Sequence, residues 1–97
     1  MAKGYWIARM TVNDPAEYQN YLAAAAGPFQ KYGAKFIIRG GRAEHVEGPG
    51  RPRNIVIEFA SFDQAMECYN TPEYQAAAKI RQASATGEIV VVEGYDG

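Results

Sequence analysis

Cysteine and histidine are almost absent from this chain: Cys68 and His45 are the only ones. A lone cysteine excludes an internal disulfide and fits a reducing, cytoplasmic setting. With one histidine, no cysteine pair and no close carboxylate cluster, neither a zinc site nor a haem held by His45 is expected, and no cofactor is implied. An excess of one charge is lacking too. Ten Lys and Arg stand against 11 Asp and Glu, a formal net charge of −1, so nothing marks a general nucleic-acid binder. No window approaches the ~20 apolar residues of a membrane span. The start MAKGYWIARM carries one lysine and no long apolar run, unlike a secretory signal.

What is present is ordinary globular composition, 47% hydrophobic and 12% aromatic, over 97 residues. That length predicts one domain, 1–97, burying about 60–65% of its unfolded surface. YWIARMTV (5–12) predicts a strand, bulky and β-branched. DPAE (14–17) then marks a helix start: Asp14 caps, Pro15 suits the first position and Glu17 completes the spacing. Tyr18, Leu22, Ala25 and Phe29 give that helix its buried stripe, Gly27-Pro28 predicts a kink or split, and Gly33 predicts a left-handed end. AKFIIR (34–39) predicts the second strand, resuming over AEHVE (43–47) after a Gly40-Gly41 bend. GPGRP (48–52) is a turn, and RNIVIEFA (53–60) is the clearest strand. Ser61 with Gln64 caps a second helix that stops near Asn70 and restarts at Thr71-Pro72, continuing over 74–85. EIVVVEG (88–94) is the last strand.

The order β-α-β-β-α-β predicts a ferredoxin-like α+β sandwich: a four-stranded antiparallel sheet with its helices on one face. The strands are apolar on both faces. On the third, Ile55, Ile57 and Phe59 point one way, Val56 and Ala60 the other. The uncovered face therefore calls for a second copy, a homodimer whose two sheets enclose a barrel-like interior.

Charges stand where apolar residues are expected. Arg9 shares a face with Tyr5 and Ile7, Glu58 with Val56, and Arg39 with Ile37. With the first and third strands adjacent, Arg9 and Glu58 are placed to pair. Two readings stay open: a bridge that fixes dimer register, or a pocket whose spare arginine binds a carboxylate or enolate. His45, between Glu44 and Glu47, reads either as a surface residue or as an acid–base group. The other arginines of the turn, Arg42, Arg51 and Arg53, read as solvated or rim residues. The glycines at 40, 41, 48 and 50 match no phosphate-loop pattern and serve tight turning. In CYNTPEY (68–74) the helix break offers backbone N–H groups, Tyr69 and Tyr74 offer phenols, and Arg81 falls on the helical face of Tyr74. Cys68 reads as packing.

GYWIA (4–8), DPAEYQNY (14–21), KYGAKFIIRGG (31–41), VEG (46–48), RPRNIVIEFAS (51–61), CYNTPEYQAAAKIR (68–81) and VVVEG (90–94) together resemble domain-of-unknown-function family 1330, in the dimeric α/β-barrel superfamily. The resemblance spans almost the whole chain. It implies the ferredoxin-like fold and a dimer but no established activity, and it maps motif positions onto Arg39, Gly40, Gly41, Glu47, Gly48, Tyr69, Pro72, Tyr74 and Arg81. Two departures stand out. Gly33-Ala34 replaces the usual glycine pair. Cys68 stands where tryptophan is frequent, which would reshape an adjoining pocket. Members of the wider superfamily include cofactor-independent monooxygenases on phenolic substrates, isomerases and polyketide cyclases.

The resulting expectation is a ligand-binding protein, holding a small anionic or aromatic molecule between sheet and helices. Its site is drawn from Arg9, Arg39, Glu47, Glu58, Tyr69, Tyr74 and Arg81, with His45 and Tyr69 as the candidates for chemistry. The alternative is a cofactor-independent monooxygenase, isomerase or cyclase acting on a phenolic or keto-acid substrate.

Overall fold

In the computed structural model, which describes residues 2–96, the chain runs β1 (Gly4–Val12), α1 (Pro15–Lys31), β2 (Lys35–Arg39), β3 (Arg53–Phe59), α2 (Phe62–Asn70), α3 (Pro72–Ser84) and β4 (Ala85–Glu93). The four strands form one antiparallel sheet in the order β2-β3-β1-β4. This is the ferredoxin-like α+β plan, with the second helix divided in two.

The helix starts are set by short polar side chains. Asp14 Oδ1 accepts from the Glu17 amide, Ser61 Oγ from Gln64 and Thr71 Oγ1 from Tyr74, each at 3.1 Å, so each N-terminus has a side-chain partner for one of its free donors. The break between α2 and α3 comes at Thr71-Pro72. Gln75 N–H also bonds the Thr71 carbonyl, so this helix start is internally capped. Gly33, at φ +67°, turns the chain out of α1, and the Ala34 amide reaches back to the Phe29 carbonyl.

Three expectations are corrected here. Gly27-Pro28 does not split α1, which runs unbroken from Pro15 to Lys31. The residue before a proline is usually forced from helical geometry by contact with its own Cβ, and Gly27 has none. No strand forms over 43–47. The His45 ring instead packs against Gly50, and its Nε2 meets the Arg51 carbonyl at 2.8 Å, holding residues 40–52 as an irregular loop. Finally, a register shift between Phe36 and Ile38 moves Arg39 opposite Ile55, on the helix-covered face and away from the companions expected of it.

The covered face carries the core. Trp6, Ala8 and Met10 of β1 and Ile55, Ile57 and Phe59 of β3 are buried under the helices. Trp6 is 1% exposed and donates its indole N–H to the Ala65 carbonyl at 2.9 Å. Phe29, Tyr69 and Tyr74 meet it edge-on, with centroids 5.3, 5.7 and 4.8 Å away. Such pairs add about 0.5–1.5 kcal/mol each beyond the area they bury. The other face has no covering element among the described residues. On it, one apolar row crosses all four strands through Ile38, Val56, Ile7 and Val90, partners in successive ladders.

Candidate functional site

The period-two alternation of β3 puts Arg53 on the same face as Ile55 and Ile57, and the helical period of α3 turns Arg81 inward from Ala77 and Ala78. Both arginines therefore reach the space between the sheet and the helices. They line a narrow cavity there, walled mainly by Trp6, Met10, Phe29 and Ile57. Its closed volume is about 20 Å³, room for a single water. Arg53 and Phe36 keep partial exposure, so the cavity meets solvent in their neighbourhood.

The charged groups of this cavity are both arginines, which only donate. Arg81 is 7% exposed, and its Nε is buried without a hydrogen-bond partner. Its guanidinium carbon lies 5.9 Å from the centre of the Tyr21 ring. The Arg53 Nε is likewise buried and unpartnered, with its guanidinium 5.5 Å from the centre of the Tyr18 ring. A Cβ added at Gly40 would lie 2.9 Å from Arg53 Nη1, and Gly40 has φ +69°, so glycine is the residue this bend accepts. The one ion pair among the described residues joins Lys3 and Glu58 at 3.7 Å, elsewhere on the sheet. Neither cavity arginine has a carboxylate beside it, which is costly for a buried cation.

Between the two helices, the Tyr21 and Tyr74 hydroxyls meet at 2.8 Å. Burial pushes both phenols above their ordinary acidity range. The Tyr74 hydroxyl bond raises Tyr21 further, while Tyr74 is partly pulled back by that bond and by the charge and hydrogen-bonding of the neighbouring Arg81 guanidinium. Both are neutral donors at physiological pH. Cys68 is fully buried, its thiol directed at the Pro28 carbonyl at 3.7 Å, and burial pushes its pKa up to about 11. A thiol held so far above neutrality is a packing group.

The expected site residues thus fall into separate groups. Arg81 lines the cavity, and Tyr74 lies behind its wall, joined to the lining residue Tyr21 through their hydroxyls. Tyr69 is one ring removed, its centroid 5.5 Å from that of Tyr74, and its carbonyl accepts from Gln75 at 2.6 Å. Arg39 stacks on Phe36, a cavity wall, at 4.2 Å. Arg9 and Glu47 lie instead in a larger open groove on the uncovered face, with Gly48, Arg51 and Glu88. Arg9 stands opposite Asn54 and Glu88, and Glu58 stands opposite Tyr5, so the expected Arg9–Glu58 pairing does not occur. Glu58 bonds Lys3 and the Tyr5 hydroxyl instead. His45 sits in the exposed loop, away from the phenols.

Arg53, Tyr18 and Tyr21 were not anticipated as site residues, and Arg53 is corrected from a solvated rim residue to a cavity residue. Its signal was present in the alternation with Ile55, Ile57 and Phe59. Tyr21 lies one turn beyond Tyr18, on the stripe that already held Leu22 and Ala25.

Solved structures share the whole arrangement of elements. A protein of unknown function from Rhodopseudomonas palustris superposes with a TM-score of 0.79 at 16% identity, over 99% of this chain and 85% of that one. SnoaB, a cofactor-independent oxygenase from Streptomyces nogalater, gives 0.69 at 17% identity, over 100% and 97%. A dimeric ferredoxin-like protein of unknown function from Thermobifida fusca gives 0.59 at 17%, over 95% and 89%. At these identities the likeness is one of fold. No curated protein matches the sequence. The model of the domain of unknown function DUF1330 matches residues 3–95, nearly the full length, and the chain belongs to that family.

Proposed function

We propose that this protein binds a small anionic or aromatic ligand in the cavity between its sheet and its helices, as a cytoplasmic homodimer. The observation that carries the reading is Arg81: a guanidinium buried among aromatic rings, with no carboxylate beside it, in the same cavity as the partly exposed Arg53. A charge in that position is stable when a complementary ion visits it. In this reading Arg81 and Tyr21 contact the ligand, Tyr74 supports Tyr21 through their shared hydrogen bond, Arg53 stands at the opening and Tyr69 backs the site.

The dimer is supported by the apolar row on the uncovered face, where Val90 is 54% and Ile38 50% exposed. A row of that kind on an antiparallel sheet is stabilised by packing against another sheet. A second copy supplies one by symmetry, and the Thermobifida neighbour is itself described as dimeric. Arg9, Glu47 and Glu58 then flank the joint and set its register.

A second reading, a cofactor-independent oxygenase, isomerase or cyclase, is favoured by the phenol-and-arginine lining and by the likeness to SnoaB. It ranks lower because the cavity lining includes neither a carboxylate nor His45 to take a proton from a substrate. Native mass spectrometry of gently purified protein tests the main reading. The expected result is a dimer that retains added small-molecule mass, which disappears in the Arg81→Gln variant. A bare monomer would remove the case for the covered face, and added mass unaffected by Arg81→Gln would place the ligand elsewhere.

A further inference from the structure

Resting on that binding reading, we infer the chemical class of the ligand: a monocarboxylate with a small, flat apolar body, its carboxylate held by the Arg81 guanidinium and a hydroxyl of the Tyr21–Tyr74 pair.

Two phenols carry two O–H groups, and the single bond between Tyr21 and Tyr74 uses one of them, whichever residue donates. One O–H is therefore left to offer. Arg81 adds its unpartnered Nε–H to the same neighbourhood, and Arg53 contributes another. Such a cluster complements a group that only accepts and that carries negative charge. A guanidinium matches a carboxylate bidentately, through two parallel N–H to O bonds, better than it matches a single phenolate oxygen.

Acidity separates the two anions a second time. Tyr21 and Tyr74 are themselves phenols in this environment, and burial holds both above their ordinary values although the Arg81 charge lies close. A phenol entering as ligand meets the same desolvation and keeps its proton. A carboxylic acid starts near a pKa of about 4, some three units below neutrality, and stays ionised through a comparable shift. The walls define the remainder. Trp6 and Phe29 wall the cavity, whose volume of about 20 Å³ holds one water as it stands, so the apolar body of a ligand has to be small and flat and enters only as Arg53 and Phe36 move aside at the opening.

Trp6 is the only tryptophan and lies in the cavity wall, so its fluorescence reports occupancy. The test titrates the full-length protein with three probes of matched size: 3-phenylpropionate, 3-phenylpropionamide and 4-ethylphenol. The expected result is saturable change with the carboxylate, at least about tenfold tighter than the amide, which is the usual scale for a charge-assisted contact. Its affinity should stay level between about pH 6.5 and 8.5, because the acid is already ionised throughout that range. Arg81→Gln should weaken the carboxylate about tenfold or more and leave the amide within about twofold. Should Arg81→Gln not fold, Arg53→Gln at the opening gives the same discrimination with a smaller loss.

Equal binding of amide and carboxylate overturns the inference and leaves an aromatic-binding cavity. Tightest binding by 4-ethylphenol, strengthening as pH rises, overturns it in favour of a phenolate. If none of the three perturbs Trp6, the cavity is not a ligand site, and both the inference and the binding reading fall.

Discussion

The two faces of the sheet treat charge in opposite ways. On the uncovered face, charged groups have company: Glu58 has Lys3 and the Tyr5 hydroxyl, Arg51 donates to Thr11 at 3.0 Å and to the Thr86 carbonyl at 3.3 Å, and Arg9 stands across from Glu88. On the covered face, Arg53 and Arg81 reach into aromatic surroundings with no carboxylate among the described residues to meet them. The sequence is balanced overall, so this is a matter of placement. A charge at the rim in contact with water needs little justification, and its pairings contribute only about 0–1 kcal/mol. A charge in the core needs a partner, and the absence of one among the described residues is what motivates the proposed ligand.

Three variants sharpen that contrast, from the largest effect down. Trp6→Ala removes the residue that both faces of the cavity wall lean on and should cost about 3–5 kcal/mol in urea unfolding, a large fraction of the stability of a domain this size. A cost below about 1 kcal/mol would show that the covered face is loosely packed and the cavity ill-defined. Arg81→Met should stabilise the ligand-free protein, by about 1–4 kcal/mol, as replacing buried charge with apolar volume does. In a thermal melt each 1 kcal/mol corresponds to roughly 4–8 °C at this length. A destabilised Arg81→Met would mean that the arginine serves the fold, and the comparison between faces would lose its functional meaning. Lys3→Ala, on the uncovered side, should change stability by no more than about 1 kcal/mol in either direction.

Much of the architecture was legible in the sequence because its signals are local. Asp14-Pro15, Ser61 and Thr71-Pro72 state helix starts within four residues, and the alternation through Ile55, Ile57 and Phe59 states a strand and its buried face. The errors arose where local signals compete. Pro28 reads as a helix breaker, yet it follows a glycine and the helix passes through it. The run 43–47 has strand-like residues, but its glycine-rich flanks and the His45–Arg51 contact hold it as a loop. Register was invisible. One irregularity between Phe36 and Ile38 was enough to send Arg39 to the other face, and only the pairing of β1 with β3 shows that Arg9 and Glu58 do not face one another. Tyr74 and Arg81 were legible as a pair because they share one helix. Their meeting with Tyr21 and Arg53 depends on three elements converging, which no single window of sequence contains.

The cavity wall is also the hydrophobic core: Trp6, Met10, Phe29 and Ile57 serve both. A ligand that fits there becomes, while bound, a removable piece of the protein's interior. Occupancy and folding are then one linked equilibrium, in which ligand at a hundred times its dissociation constant adds about 2.7 kcal/mol to the unfolding free energy. On the proposed reading, this would tie the survival of the protein in the cell to the supply of such a ligand. Scarcity would lower the protein's abundance through turnover of the opened form, without any separate control.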